Sequence, residues 1–167
     1  MKNKFPNSGK DKFLASMPEA SLDSESDSLV LRCKFNFSYF EKQDVGQGFD
    51  DLTKEELVRL IEKMKEYGRE SLKYWRKQQI GKHGTVFASY GAFPSRSEFK
   101  RPKYVPHQVE WGRFRLDWST RLCGFTVPQR YHGRIRDSDE NIFCANTFYL
   151  VFIDPNHKFY QGNLEPK

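Results

Sequence analysis

Gln108-Val-Glu-Trp-Gly-Arg-Phe-Arg-Leu-Asp117, then Trp118-Ser119, then Thr120-Arg-Leu-Cys-Gly-Phe-Thr-Val127 carries the strongest β-sheet signal in the chain. Val109, Trp111, Phe114 and Leu116 mark the first half as a strand, and Leu122 and Phe125 mark the second. The two-residue gap between them predicts a tight hairpin. A third strand follows at 147–154, where Thr-Phe-Tyr-Leu-Val-Phe-Ile-Asp is a short apolar run bounded by polar residues. The whole chain is rich in rings, with 15 Phe, 8 Tyr and 3 Trp in 167 residues. Such side chains favour strands and bring large apolar areas to a small core.

Upstream, Leu31, Cys33, Phe35 and Phe37 alternate with Arg32, Lys34, Asn36 and Ser38, which predicts a half-buried strand within 29–40. Glu41 to Asp51 holds Gly46 and Gly48 and reads as a loop. Thr53-Lys-Glu-Glu56 is a capping box. After it, Leu57, Leu60, Ile61 and Met64 form an apolar stripe at helical spacing, continued by Leu72 and Trp75. One long helix from about 54 to 78, kinked or broken at Gly68, is expected. Residues 80–107 read as a long loop with a short strand near 85–90, and 128–146 as an insertion between strands. The fold class predicted is α+β: a small antiparallel sheet packed on one helix, in the order β-α-β-β-β. Residues 29–160 make the expected domain. It is flanked by a polar arm at 1–28, expected to be disordered, and a tail at 161–167.

The net charge of +6 is concentrated in one place. Between 69 and 107 stand Arg69, Lys73, Arg76, Lys77, Lys82, Arg96, Lys100, Arg101 and Lys103, against only Glu70 and Glu98. Tyr90 and Tyr104 lie among them. Cations displace counterions from phosphates and rings stack on unpaired bases, so the segment suits single-stranded or irregular RNA better than duplex grooves. An acidic protein, or no specific partner, would also suit it. The three cysteines, Cys33, Cys123 and Cys144, show no zinc-ligand spacing and are expected to be buried thiols. No apolar run is long enough for a membrane helix, and Lys2 and Lys4 are not followed by an apolar stretch, so cytoplasm is the expected compartment. No phosphate-cradling glycine loop, nucleophile elbow or metallohydrolase motif occurs, and no cofactor or metal is expected.

Two further sets could carry chemistry. Arg113 and Arg115 stand two apart on a strand and so share a face, with Arg121 on the next strand. Guanidiniums on one face can hold a phosphate; the plainer reading pairs them with Glu110 and Asp117 at the surface. Past the last strand come Asp154, His157, Lys158 and Tyr160, a set able to move protons and stabilise charge or simply to form a surface turn. His83, His107 and His132 read as surface residues.

Trp111-Gly-Arg-Phe-Arg-Leu116, Arg121-Leu-Cys-Gly-Phe125 and Phe148-Tyr-Leu-Val-Phe-Ile-Asp-Pro-Asn-His-Lys-Phe-Tyr160, in the order strand, helix, three strands, resemble the RelE/ParE toxin superfamily. The chain departs from that family in its length, its N-terminal arm, the 80–107 loop and the 128–146 insertion. The resemblance implies metal-independent endoribonuclease activity by 2′-hydroxyl attack. His157 or Tyr160 would handle the proton, and Arg113, Arg115, Arg121 and Lys158 would stabilise the phosphorane. It implies as partners RNA, ribosome-associated or free, or an acidic protein such as an antitoxin. The alternative is a non-catalytic interaction protein, a phage or mobile-element inhibitor or assembly subunit, that binds an acidic partner.

Overall fold

The computed structural model describes residues 9, 12, 13, 16, 29–82, 84–136, 138 and 140–162. The chain divides into two units, Met1–Val30 and Leu31–Lys167. The four described residues before 29 are helical, and Ser16 Oγ donates to the Phe13 carbonyl. The disordered arm expected at 1–28 otherwise lies outside the described residues, as do His83, Asp137, Asp139 and most of the tail. No helix among the described residues is long and apolar enough to cross a membrane.

In the second unit the fold is α+β. Its frame is a five-stranded sheet formed by β1 (Lys34–Asn36), β4 (Phe87–Gly91), β5 (Glu110–Arg115), β6 (Arg121–Thr126) and β7 (Thr147–Asp154), in the order β1-β7-β6-β5-β4. A two-stranded ribbon, β2 (Gln79–Ile80) with β3 (Gly84–Thr85), stands beside it. The hairpin at 108–127 forms as expected, with Arg113 opposite Cys123 and Arg115 opposite Arg121. The sheet is mixed rather than wholly antiparallel, because β1 pairs parallel to β7.

β1 is also much shorter than the alternation at 29–40 predicts. Leu29–Leu31 is a 3-10 turn, and Phe37 is 41% exposed. The strand stops because the Asn36 side chain accepts hydrogen bonds from Ser38 N–H (2.9 Å) and Ser38 Oγ (2.6 Å), a local turn that outcompetes the ladder.

The helix breaks at Gly68, giving α1 (Lys54–Tyr67) and α2 (Leu72–Lys77). At the start of α1, Thr53 Oγ1 accepts from Glu56 N–H and the Glu56 carboxylate accepts from Thr53 N–H, completing the capping box. Thr53→Ala should therefore cost about 1 kcal/mol, read as a lower urea midpoint with unchanged slope. At the break, the Gly68 N–H donates to the Met64 carbonyl, and Ser71 Oγ accepts from Tyr74 N–H to start α2. The buried line of α1 is Leu60, Met64 and Tyr67; Leu57 and Ile61, expected in the core, are 38% and 51% exposed. The sheet meets only a narrow stripe of the helix.

The sheet separates two aromatic clusters. On one face Phe87, Phe114, Leu122, Phe148 and Leu150 pack with Leu60, Tyr67, Leu72 and Trp75 of the helices. On the other, Trp111, Cys123, Phe125, Val151 and Phe152 are covered by Phe99, Val105 and Phe159. A register irregularity opposite Cys123 and Gly124 places Val151 and Phe152, consecutive residues, in the same cluster. Asp154 is thereby carried to the side of Arg121 and Cys123, where all three meet one cavity.

Candidate functional site

β5 alternates, so Trp111, Arg113 and Arg115 share the face opposite Phe114. Trp111 is buried there, while the two arginines are half-buried, Arg115 beside the turn to β6. Arg121, their neighbour on β6, is 8% exposed. Its Nη1 donates to the carbonyls of Asp117 (2.9 Å) and Thr120 (3.0 Å), and its Nη2 to that of Trp118 (3.4 Å). Arg113 Nη1 donates to the Thr85 carbonyl at 2.8 Å, and Arg115 reaches the carbonyls of Asp117 (3.3 Å) and Ile80 (3.4 Å). Among the described residues, none of the three guanidiniums forms an ion pair with a carboxylate. Glu110 pairs instead with Arg76 at 3.6 Å, and the Asp117 carboxylate accepts from Ser119 and Thr120 N–H. Burial, then the nearby charges of Arg113 and Arg115, push the pKa of Arg121 down. Carbonyl oxygens bind these cations without neutralising them, which leaves a concentrated positive field.

The turn after β7 faces that field. Asp154 is 1% exposed, and its carboxylate accepts from Asn156 N–H (3.1 Å), Lys158 N–H (3.0 Å) and Phe159 N–H (2.8 Å). These bonds fold 155–159 into a fixed turn in which His157 takes φ 59°. His157 Nε2 stands 3.3 Å from the Trp118 carbonyl. Tyr160 lies parallel to Tyr90, with ring centroids 4.2 Å apart and planes 3° from parallel. Burial raises the pKa of Tyr90, keeping its phenol protonated.

Tyr90, Arg113, Arg121, Cys123, Asp154, His157, Phe159 and Tyr160 together line a cavity of about 150 Å³. That is room for a phosphate and a few waters, since water occupies about 30 Å³ in the liquid. Cys123, fully buried beneath it, is held well above the usual thiol pKa by burial and is no nucleophile.

No protein-family model, curated protein or solved structure matches the chain.

Of the residues singled out by sequence, Arg113, Arg121, His157, Tyr160 and Tyr90 meet at this cavity. Arg115 is not among its lining residues and reaches the Asp117 and Ile80 carbonyls instead, and Lys158 turns to Glu98 at 3.2 Å. The basic segment 69–107 does not come together. Leu72 and Trp75 anchor α2, with Lys73, Arg76 and Lys77, to one cluster, whereas Phe99 and Val105 anchor the loop carrying Arg96, Lys100, Arg101 and Lys103 to the other. The sheet stands between them. Arg69 precedes α2, and Lys82 is exposed at the turn of the β2–β3 ribbon, whose Gly84 lies close to the Arg113 and Arg115 guanidiniums. Arg101 donates to the Val105 carbonyl (2.6 Å), and Tyr104 to the Glu41 carboxylate (2.6 Å). His107 is exposed, and His132 Nδ1 accepts from Ala145 N–H. Cys144, expected to be buried, is half-buried.

Sequence reading misses a second cavity, of about 330 Å³, walled by Tyr39, Phe125, Tyr131, Phe143, Tyr149, Pro106 and Pro128. Its rings come from separate segments of the chain, so no local pattern signals it. Arg130 and Arg134 each stand 5.2 Å from the Tyr131 ring.

Proposed function

We propose that the protein binds single-stranded RNA and seats one phosphodiester in the cavity between the hairpin arginines and the turn after β7. The observation that carries this reading is the convergence of Arg113 and Arg121, without carboxylate partners among the described residues, with His157 and Tyr160 on one polar cavity of about 150 Å³. A guanidinium has five N–H groups, and the carbonyl bonds use only part of them. The remainder suit the non-bridging oxygens of a phosphate. Asp154 lines the cavity too; three backbone N–H groups hold its carboxylate in the turn, and its negative charge offsets part of the arginines' field.

The same arrangement supports metal-independent cleavage. The 2′-oxygen attacks the adjacent phosphorus and the bond to the 5′-oxygen breaks, leaving a 2′,3′-cyclic phosphate and a 5′-hydroxyl. His157 takes the 2′ proton, a proton passes to the departing 5′-oxygen from Tyr160 or water, and the arginines stabilise the charge that builds on phosphorus. Lys158 is directed to Glu98 rather than into the cavity, and this scheme does not call on it.

The test combines binding and turnover. Wild-type protein should bind a short oligoribonucleotide with affinity that falls steeply with salt. Arg113→Gln should make the log–log salt slope shallower by about 0.7, the value for one phosphate of a single strand. In EDTA, wild type should release 5′-hydroxyl products, and His157→Ala should slow release about 10²- to 10⁴-fold while still binding. Salt-insensitive or absent RNA affinity ends the reading; binding with no turnover in either protein ends only its catalytic half.

A second reading, capture of an acidic protein partner, is favoured by the apolar cavity at Tyr131 and Phe143. Next to Phe143 in the chain, Ile142 is bridged to Ile135, and the two are 64% and 61% exposed. Patches of this kind mark protein contacts. This reading predicts partner binding that survives Arg113→Gln and is abolished by Ile142→Asp.

A further inference from the structure

Trp118 sits at the tip of the β5–β6 hairpin and is 87% exposed, whereas Trp75 and Trp111 are 8% and 2% exposed. A single exposed apolar residue is ordinary. This one differs because its own backbone is bonded into the cavity wall. The Trp118 carbonyl accepts from Arg121 Nη2 at 3.4 Å and lies 3.3 Å from His157 Nε2. The next two residues are fixed as well: Ser119 and Thr120 N–H donate to the Asp117 carboxylate at 2.9 and 2.7 Å. The Arg115 guanidinium stands 6.0 Å from the indole centroid. A large, flat ring therefore extends from a fixed turn whose backbone is bonded to two residues of the cavity wall, with the Arg115 cation beside it.

We infer that Trp118 is the platform on which the base next to the seated phosphate stacks. This inference rests on the RNA reading above and narrows it: the ligand presents an unpaired base together with its phosphate. A duplex would not serve, because its bases already stack on one another and expose only their edges. A polyphosphate or an acidic peptide would fill the cationic cavity and leave the indole unused. An aromatic platform is tolerant of base identity, since every base has a π-face. The site would thus discriminate single strands from duplexes without reading sequence.

The experiment uses the full chain and three probes of equal charge: oligoadenylate, an abasic ribose-phosphate oligomer of the same length, and an RNA duplex. Wild type should bind oligoadenylate about 10- to 100-fold more tightly than the abasic oligomer, the gain expected of one stacked base, and should bind the duplex more weakly. Trp118→Ala should bind oligoadenylate and the abasic oligomer equally, at the wild-type abasic affinity, and Trp118→Phe should recover most of the difference. Because the other two tryptophans are buried, acrylamide quenching of wild-type fluorescence reports chiefly on Trp118. Oligoadenylate should suppress that quenching, and the abasic oligomer should not. If Trp118→Ala keeps wild-type affinity for oligoadenylate while Arg113→Gln weakens both single-stranded probes, the platform is overturned and the phosphate site stands. If wild type binds none of the probes, the RNA reading itself falls and takes the platform with it.

Discussion

Asp154→Ala is expected to lower stability by about 3 kcal/mol and to remove RNA binding and turnover together. The buried carboxylate holds the N–H groups of Asn156, Lys158 and Phe159. Each buried donor left unpaired costs about 1–3 kcal/mol, and the first two are only partly buried, which sets the estimate at the low end of the summed range. Without those bonds, 155–160 no longer has a reason to hold His157 at positive φ or to lay Tyr160 on Tyr90. Asp154→Asn keeps one oxygen as acceptor and should fall between the two. Urea unfolding gives the stability, and oligoribonucleotide affinity measured well below the unfolding midpoint gives the site. A variant that loses stability but binds RNA like wild type would show that the turn does not position the site.

Gly124→Ala should be more damaging to the fold, by about 3 kcal/mol or more, although it adds one methyl group. A Cβ at Gly124 would stand 2.0 Å from the Tyr149 carbonyl oxygen and 3.0 Å from the Phe148 ring. The oxygen belongs to the backbone of β7 and cannot swing aside, so β6 and β7 must separate beside their register irregularity. Overpacking alone costs about 1–3 kcal/mol, and the disturbed ladder adds to it. Gly112→Ala, 2.5 Å from the Ala88 carbonyl at the β4–β5 pair, should be the milder of the two. It lies nearer the sheet edge, where β4 has freedom to move. Urea midpoints of the two variants give the order, and equal midpoints would show that the central pair yields as easily as the edge.

Both predictions fall where distant segments meet, and this is also where reading the sequence stops being sufficient. The capping box at Thr53 and Glu56 was legible because its partners are three residues apart. The hairpin was legible because the turn between Arg115 and Arg121 is local and its flanking apolar residues alternate. The shared face of Arg113 and Arg115 follows from the two-residue repeat of any strand. By contrast, alternation at 29–40 overstated β1, since a side-chain turn at Asn36 competes with the ladder. Helical spacing likewise overstated the buried face of α1, since spacing gives the stripe and only the partner surface gives its width.

The class of fold, the helix start, the interruption at Gly68, the hairpin and the kinds of side chain available for anion binding all follow from residue order, because they rest on contacts between near neighbours. Tertiary structure decided the rest. It paired β1 parallel to β7, set the basic residues of α2 and of the 96–103 loop on opposite sides of the sheet, and brought Arg113 and Arg121 to His157 and Tyr160. Each of these depends on which distant strands share hydrogen bonds and in what register, and a run of charged residues has the same composition whichever side of a sheet it is folded onto.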